Sequence, residues 1–396
     1  MLHISILTLL IVISIIVGVK KYNNYINPLT INAIITYGLF TLGSYFSTIF
    51  FRLDVIDFPV EFLDYSIWIS VLAMGFFMSP FFFKNNIING VIVKTLDKMN
   101  GGQGCAEYKF STLLLLLLLC GGSYLMLILF SPGGTLWVTE PRQAYLNSRN
   151  GYGYLYTLYL WALIAAFNYL IFTQRPNYKK LIFLTSLFLM LSYFSGKKAF
   201  IMVVLVVAVI YYNFYIKSLS SMKIIAILLM MILTLAALIV DGADTDFLAP
   251  MLYFDYADLT SLFLYRFDEF GYYYGKAFIT SFWVLVPRAL YPDKPYEYGD
   301  SLVHEILFPG VAEMGHTAGY LWWTANYLDF GLIGVAFFAY MKGLVSKSVF
   351  EWYLRNKYSF FSFIVMTHFT LFEIWFFMPG IIVLIWCFLI SKINKK

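Results

Sequence analysis

Residues Phe110–Phe130 read FSTLLLLLLLCGGSYLMLILF, twenty-one consecutive positions without a charge. A bilayer hydrocarbon core about 30 Å thick asks for roughly 20 such residues in a helix. The seven leucines at 113–119 supply plain lipid-facing or packing surface. Apolar runs of the same kind recur near 2–19, 29–51, 65–83, 152–173, 181–195, 199–216, 223–240, 319–341, 359–376 and 378–391, the last two forming a tight hairpin at Pro379. Of 396 residues, 61% are hydrophobic and 12% charged, against about 45–50% and about 25% in globular chains. The two-residue alternation of a membrane β-barrel is absent. These features predict an all-α polytopic integral membrane protein with about 11 transmembrane helices and one large extracytoplasmic loop.

Charge divides the connections into two sets. Alternate ones carry Lys20 and Lys21; Lys84, Lys94, Lys98 and Lys109; Arg175, Lys179 and Lys180; Lys217 and Lys223; Lys342, Lys347, Arg355 and Lys357; and Lys392, Lys395 and Lys396. These are 18 of the 27 basic residues, accompanied by only Asp97, Glu107 and Glu351. The opposite set holds nine cations and seventeen carboxylates. The positive-inside rule makes the first set cytoplasmic, with the N-terminus outside and the C-terminus inside. The first helix is expected to be a true span, because two lysines follow it where a signal peptide would have small residues. Cys105, Cys120 and Cys387 are scattered without metal-ligand or disulfide spacing.

The expected organisation is helices 1–8 over 1–240, the large loop with a re-entrant or interfacial helix over 241–318, and helices 9–11 with a basic tail over 319–396. The loop carries twelve acidic residues and four basic ones, Arg266, Lys276, Arg288 and Lys294. Two of those cations lie in VPRALYPDKP, residues 286–295, whose three prolines forbid a regular spanning helix. A stiff cationic stretch at the membrane surface suggests an anion site, Arg288 offering a bidentate fork and Lys294 a point charge. The alternative is pairing of these cations with Asp293, Glu297 or Asp300.

Lys197 and Lys198, in YFSGKKAF at 193–200, oppose the charge rule, which marks them as a phosphate clamp at the outer boundary. Alternatively they pair with outer carboxylates, or the two flanking runs form one long bent helix. Arg142 and Arg149 in the 131–151 connection, and Arg266 beside Asp268 and Glu269, extend the cationic set or simply solvate their loops. For proton transfer the candidates are His304, Glu305, Glu313 and His316, set against ordinary surface roles. Asp244-Thr-Asp246 has a weak DxD form, and Glu373 sits within an apolar run facing protein or a polar cavity. The loop's many tyrosines, with Trp283, suit either sugar faces or an interfacial belt. HExxH, GxSxG, P-loop and dinucleotide signatures do not occur.

The Pro287–Pro295 stretch, the Ser-Gly-Lys-Lys turn, the late outer loop and Tyr327-Leu-Asp-Phe-Gly-Leu-Ile-Gly334 together resemble the Wzy-type O-antigen and capsular polysaccharide polymerases. The resemblance covers the whole chain as a layout and residues 193–200 and 286–334 as motifs. The turn carries lysines where such proteins commonly have Arg. It implies a glycosyltransferase of the bacterial cytoplasmic membrane that joins undecaprenyl-diphosphate-linked oligosaccharide repeat units on the outer face, the lipid diphosphate leaving. Arg288, Lys294, Lys197, Lys198, Arg142 and Arg266 would hold the diphosphate, and Glu313, His316 or His304 would deprotonate the acceptor hydroxyl. No cofactor, metal or nucleic acid is implied. A flippase and a chain-length regulator of the same pathway are the implied partners, besides membrane lipid. An O-antigen ligase of the same superfamily and a lipid-linked oligosaccharide flippase are the competing readings. A flippase should place polar residues at the membrane midplane, whereas here they gather on one face.

Overall fold

The computed structural model describes residues 1–52, 58–83, 87–100, 108–148, 152–224, 226–227, 230, 256–286, 291–310 and 319–368, with backbone alone at 87, 146, 198, 199, 284 and 285. Every regular element among them is helical. In order they are α1 (Leu2–Tyr22), α2 (Pro28–Phe51), α3 (Val60–Phe82), α4 (Ile87–Asn100), α5 (Phe110–Phe130), α6 (Leu136–Thr139), α7 (Pro141–Asn147) and α8 (Gly153–Gln174). There follow α9 (Tyr178–Tyr193), α10 (Lys198–Tyr211, continued by a π turn over Tyr212–Ile216), α11 (Tyr256–Tyr265) and α12 (Phe267–Phe270). The last are α13 (Lys276–Thr280, continued as a 3₁₀ turn over Ser281–Leu285), α14 (Ser301–Leu307), α15 (Thr324–Arg355) and α16 (Phe360–Met366).

Six of these, α1, α2, α3, α5, α8 and α15, are long and apolar enough to cross a membrane. The polytopic helical class therefore stands; the count of eleven does not emerge from the described residues. The expected spans at 223–240 and 378–391, and much of that at 359–376, lie largely or wholly outside them. Expected helices six and seven are two separate elements, α9 and α10, packed against each other.

Local sequence explains the ends. Asn27 accepts a hydrogen bond from the Thr30 N–H and Pro28 occupies the first turn, so α2 starts there. Asn177 caps α9 in the same way through the Lys180 N–H. Lys20 and Lys21 close α1 where a helix C-terminus favours positive charge. On α5, Leu114, Leu115, Leu117 and Leu118 remain exposed, which fits a lipid-facing surface. In contrast α8 is buried on all sides, through Ala162, Leu163, Ala166, Phe167 and Ile171.

Two cores result. One gathers α1, α2, α3 and the loop helices around Leu63, Phe77, Phe263 and Trp323. The other gathers α5, α8, α9, α10 and α16 around Leu163, Phe188, Val207 and Phe363. Helix α15 belongs to both, giving Val335 and Ala339 to the first and Phe350 and Tyr353 to the second.

The expected helix at 319–341 is built differently. Gly331 has φ 61° and ψ −148°, which interrupts α15. A Cβ on Gly334 would lie 2.5 Å from the Asn326 carbonyl oxygen, and Lys342 Nζ lies 4.2 Å from the centre of the Trp322 ring. In a continuous helix those partners would be about 12 Å and about 30 Å apart along the axis. Residues 322–330 therefore fold back against the descending part of α15. Because the descent starts only after Gly331, it needs the residues up to Arg355 to cross. Lys342 and Lys347, expected in a cytoplasmic connection, are consequently buried within the helix. Lys347 Nζ donates to the carbonyl oxygens of Pro80 and Phe83, at the end of α3.

Contacts gather several of the lysine-rich connections together. Lys21 pairs with Glu351 at 3.2 Å, Trp352 donates to Asp97, Ser359 donates to Asn100, and Tyr215 donates to the Lys357 carbonyl. These join the ends of α1, α4, α10 and α15 at one end of the bundle. The start of α8, the 131–148 connection and the turn after α9 meet at the other.

Candidate functional site

The turn after α9 is fixed by its own sequence and by α7. Ser195 Oγ accepts from the Lys197 N–H at 3.2 Å, and Tyr156 OH donates to the Ser195 carbonyl at 2.8 Å. Gly196 has φ 64°, and a Cβ there would sit 2.3 Å from the Pro141 carbonyl oxygen. No other residue fits, which is what Gly supplies in such a turn. The Arg142 guanidinium closes the contact by donating to the Gly196 carbonyl at 3.4 Å.

This geometry brings together two of the expected cations. Lys197 Nζ lies 5.1 Å from the Tyr145 ring centre and 5.7 Å from that of Tyr156; Arg142 lies 5.8 Å from Tyr145. Tyr145 and Tyr156 are 5.0 Å apart, and Trp137 lies beside Tyr156 at 5.8 Å. Trp137 is itself held by its indole N–H on Ser131 Oγ, at 2.8 Å. Among the described residues no carboxylate lies within ion-pair distance of Lys197 or Arg142. Pairing with an outer carboxylate is thus not seen for Lys197 among the described residues. Contacts of a cation with an aromatic face contribute about 0.5–1 kcal/mol at exposed sites. Charge-assisted bonds to phosphate are stronger, so both cations remain able to take an anion. The Lys198 side chain and Arg149 lie outside the described residues.

In the loop, the described cations Arg266 and Lys294 are engaged. Arg266 binds Glu269 through Nε and Nη2, both at 2.9 Å, the local pairing weighed for it. Lys294 is buried: its Nζ donates to the Val286 carbonyl at 3.0 Å and lies 4.4 Å from the Tyr298 ring centre. It bridges the two sides of the proline-rich stretch. Arg288 lies outside the described residues, as do Glu313, His316, Asp244, Asp246 and Glu373.

His304 lies on α14, 5% exposed, with its ring 5.0 Å from that of Tyr320. Burial pushes its pKa down to about 4, so at neutral pH it is an uncharged imidazole. Glu305 accepts from the Gly310 N–H at the end of the same segment. The Asp300 carboxyl is pushed up from its ordinary value, by desolvation and then by the Asp329 charge.

Two acidic residues matter here that sequence reading did not single out. Asp258 is buried and pairs with Arg52 at 2.8 Å, tying α11 to the end of α2. Asp329, 2% exposed, accepts from the N–H groups of Ala277 and Phe278 at 3.0 and 2.7 Å, capping α13 from another helix. An aspartate inside an apolar run was the available signal.

No protein-family model matches the chain, and no solved structure matches it. Curated proteins do. The similarity is to O-antigen polymerases. The chain is 25% identical over 237 residues to the O-antigen polymerase of Salmonella typhimurium, and equally to that of Salmonella typhi. The alignment covers 56% of this chain and 54% of each relative, so the chain spans about half the length of the curated relatives it matches. The resemblance to Wzy-type polymerases read from the motifs agrees with this distant similarity.

Proposed function

We propose that the protein polymerises undecaprenyl-diphosphate-linked oligosaccharide repeat units into O-antigen or capsular polysaccharide. Distant similarity to O-antigen polymerases supports that activity at the family level. On the side of geometry the reading is carried by Lys197 and Arg142, held over Tyr145 and Tyr156 with no carboxylate in ion-pair reach among the described residues. In this reading the tyrosine-backed cations grip the lipid diphosphate, with Arg288, Lys294 and the Lys198 side chain completing the set. Negative charge grows on the leaving diphosphate as the glycosidic bond breaks, and fixed cations stabilise that state more than the ground state. The acceptor hydroxyl of the incoming unit attacks the anomeric carbon and gives its proton to a base, for which Glu313, His316 and His304 are the candidates. Burial makes His304 a weaker base than an ordinary histidine. The site faces the outside of the cytoplasmic membrane, with the N-terminus outside and the C-terminus inside.

The test is reconstitution of purified protein with a lipid-linked repeat unit as sole substrate. A ladder of longer lipid-linked glycans, without nucleotide, metal or second protein, is the expected result. Movement of the unit across the membrane without extension would establish a flippase instead. Transfer only to lipid A core would establish a ligase.

A further inference from the structure

The tip of the α15 fold-back is stitched to the loop that carries Lys294. Tyr273 N–H donates to the Leu328 carbonyl at 2.9 Å, and Asp329 takes the Ala277 and Phe278 N–H groups. Gly275, at φ 91°, lies under Phe330, and Gly331 lies under Tyr272 at φ 61°, a backbone conformation that favours glycine. Those two amides belong to the first turn of α13, which has no partner for them within its own helix. From α13 the chain passes through the 3₁₀ turn to Val286, whose carbonyl Lys294 holds. Thr280 Oγ1 also accepts from the Gly299 N–H, and a Cβ on Gly299 would sit 3.1 Å from Ser281 Cα, so both sides of the stretch rest on α13.

We propose that Asp329 is the positioning residue of the cationic loop: from within the membrane-embedded fold-back it sets the height and rotation of α13, and through Val286 the placement of Lys294. The inference rests on the polymerase reading for its activity readout. A carboxylate suits the task because its two oxygens accept two N–H groups at once. The Asn isostere keeps one acceptor and turns an NH₂ group toward the second amide, losing that bond while nearly preserving volume. Misplacement of a reacting partner by about 1 Å can lower turnover by up to about a hundredfold.

The experiment compares wild type, Asp329→Asn, Lys294→Met and the double variant in the ladder assay with purified lipid-linked repeat unit. Each protein is first shown to be monodisperse in detergent, with its melting temperature recorded. Asp329→Asn is expected to lower kcat at least tenfold with KM changed less than threefold. Because both residues act through one segment, the double variant should be no worse than the poorer single one. Phe282→Cys, in a background of Cys105→Ser, Cys120→Ser and Cys387→Ser, should label faster when Asp329→Asn is added. Multiplicative losses in the double variant, with unchanged labelling, would overturn the inference, as would full activity of Asp329→Asn. Full activity of Lys294→Met and of Lys197→Met together would instead sink the assigned cation set, while the labelling result would still decide whether Asp329 holds the loop.

Discussion

The turn region around Arg142 and Lys197 and the loop region around Arg266 were both expected to supply cations, yet Arg266 meets a carboxylate where Arg142 and Lys197 meet tyrosine rings. In the loop, Arg266 stands three residues before Glu269, a helical spacing that puts the two side chains on one face, and they pair. In the turn, Arg142 stands two residues after Glu140 at the start of α7, a spacing that points side chains apart. Among the described residues Lys197 Nζ meets the rings of Tyr145 and Tyr156, and no carboxylate. Whether a neighbouring carboxylate neutralises a cation is thus decided by spacing and by the fold, more than by the local abundance of acid.

That contrast can be broken most sharply at Lys197. Lys197→Met should lower ladder formation by at least about a hundredfold, on the scale of losing a fixed charge-stabilising group. Arg266→Ala should leave turnover within about twofold, assayed side by side. Equal losses at both positions would erase the distinction.

Next in size is the pair between Arg52 and Asp258, which is structural in this account. Arg52→Met removes the cation paired with the buried Asp258 carboxylate and should destabilise by about 2 kcal/mol, discounted from the figure for fully buried pairs because Arg52 is partly exposed. Thermal unfolding in detergent should register this as a clear drop in melting temperature. A comparable loss from Arg266→Ala would contradict the comparison, since an exposed i,i+3 pair contributes well under about 1 kcal/mol.

Gly196→Ala should cost about 1–3 kcal/mol of local strain and push the turn off α7, because the added Cβ meets the Pro141 carbonyl at positive φ. The expected outcome is weaker binding of lipid diphosphate, measured by titration of the purified protein. Unchanged binding and melting would mean that the contact does not place Lys197.

The pH dependence of His304 is the smallest effect at neutrality. Its folded pKa of about 4 lies below the ordinary 6.5, so the unfolded chain takes up a proton that the folded chain refuses. Stability therefore rises with pH across the window from about 4 to about 6.5 and is fully present above it. His304→Leu should flatten that part of the curve, by up to about 3 kcal/mol at its acid end. A curve of unchanged slope would show that His304 is not buried in solution.

Much of the layout was legible. Apolar length gave the spans α1, α2, α3, α5 and α8 closely, because hydrocarbon thickness leaves little freedom. Charge alternation grouped the connections at Lys21, Asp97 and Glu351, but it misplaced Lys347, which is buried against carbonyls inside α15. The fold-back at Gly331 was not legible, since glycine is common in membrane helices and Gly-Leu-Ile-Gly reads as ordinary span. The Tyr145 and Tyr156 platform was hidden for another reason: both residues lie more than forty positions from Lys197, and only the packing of α7 and α8 against the turn brings them together.

The most direct test of the central claim is the reconstituted ladder assay on Lys197→Met, with the purified variant first shown to melt within a few degrees of wild type. Single lipid-linked repeat units should remain, with no ladder, even at substrate levels that saturate the unmodified protein. A full ladder from that variant would show that the tyrosine-backed cation is not part of the site.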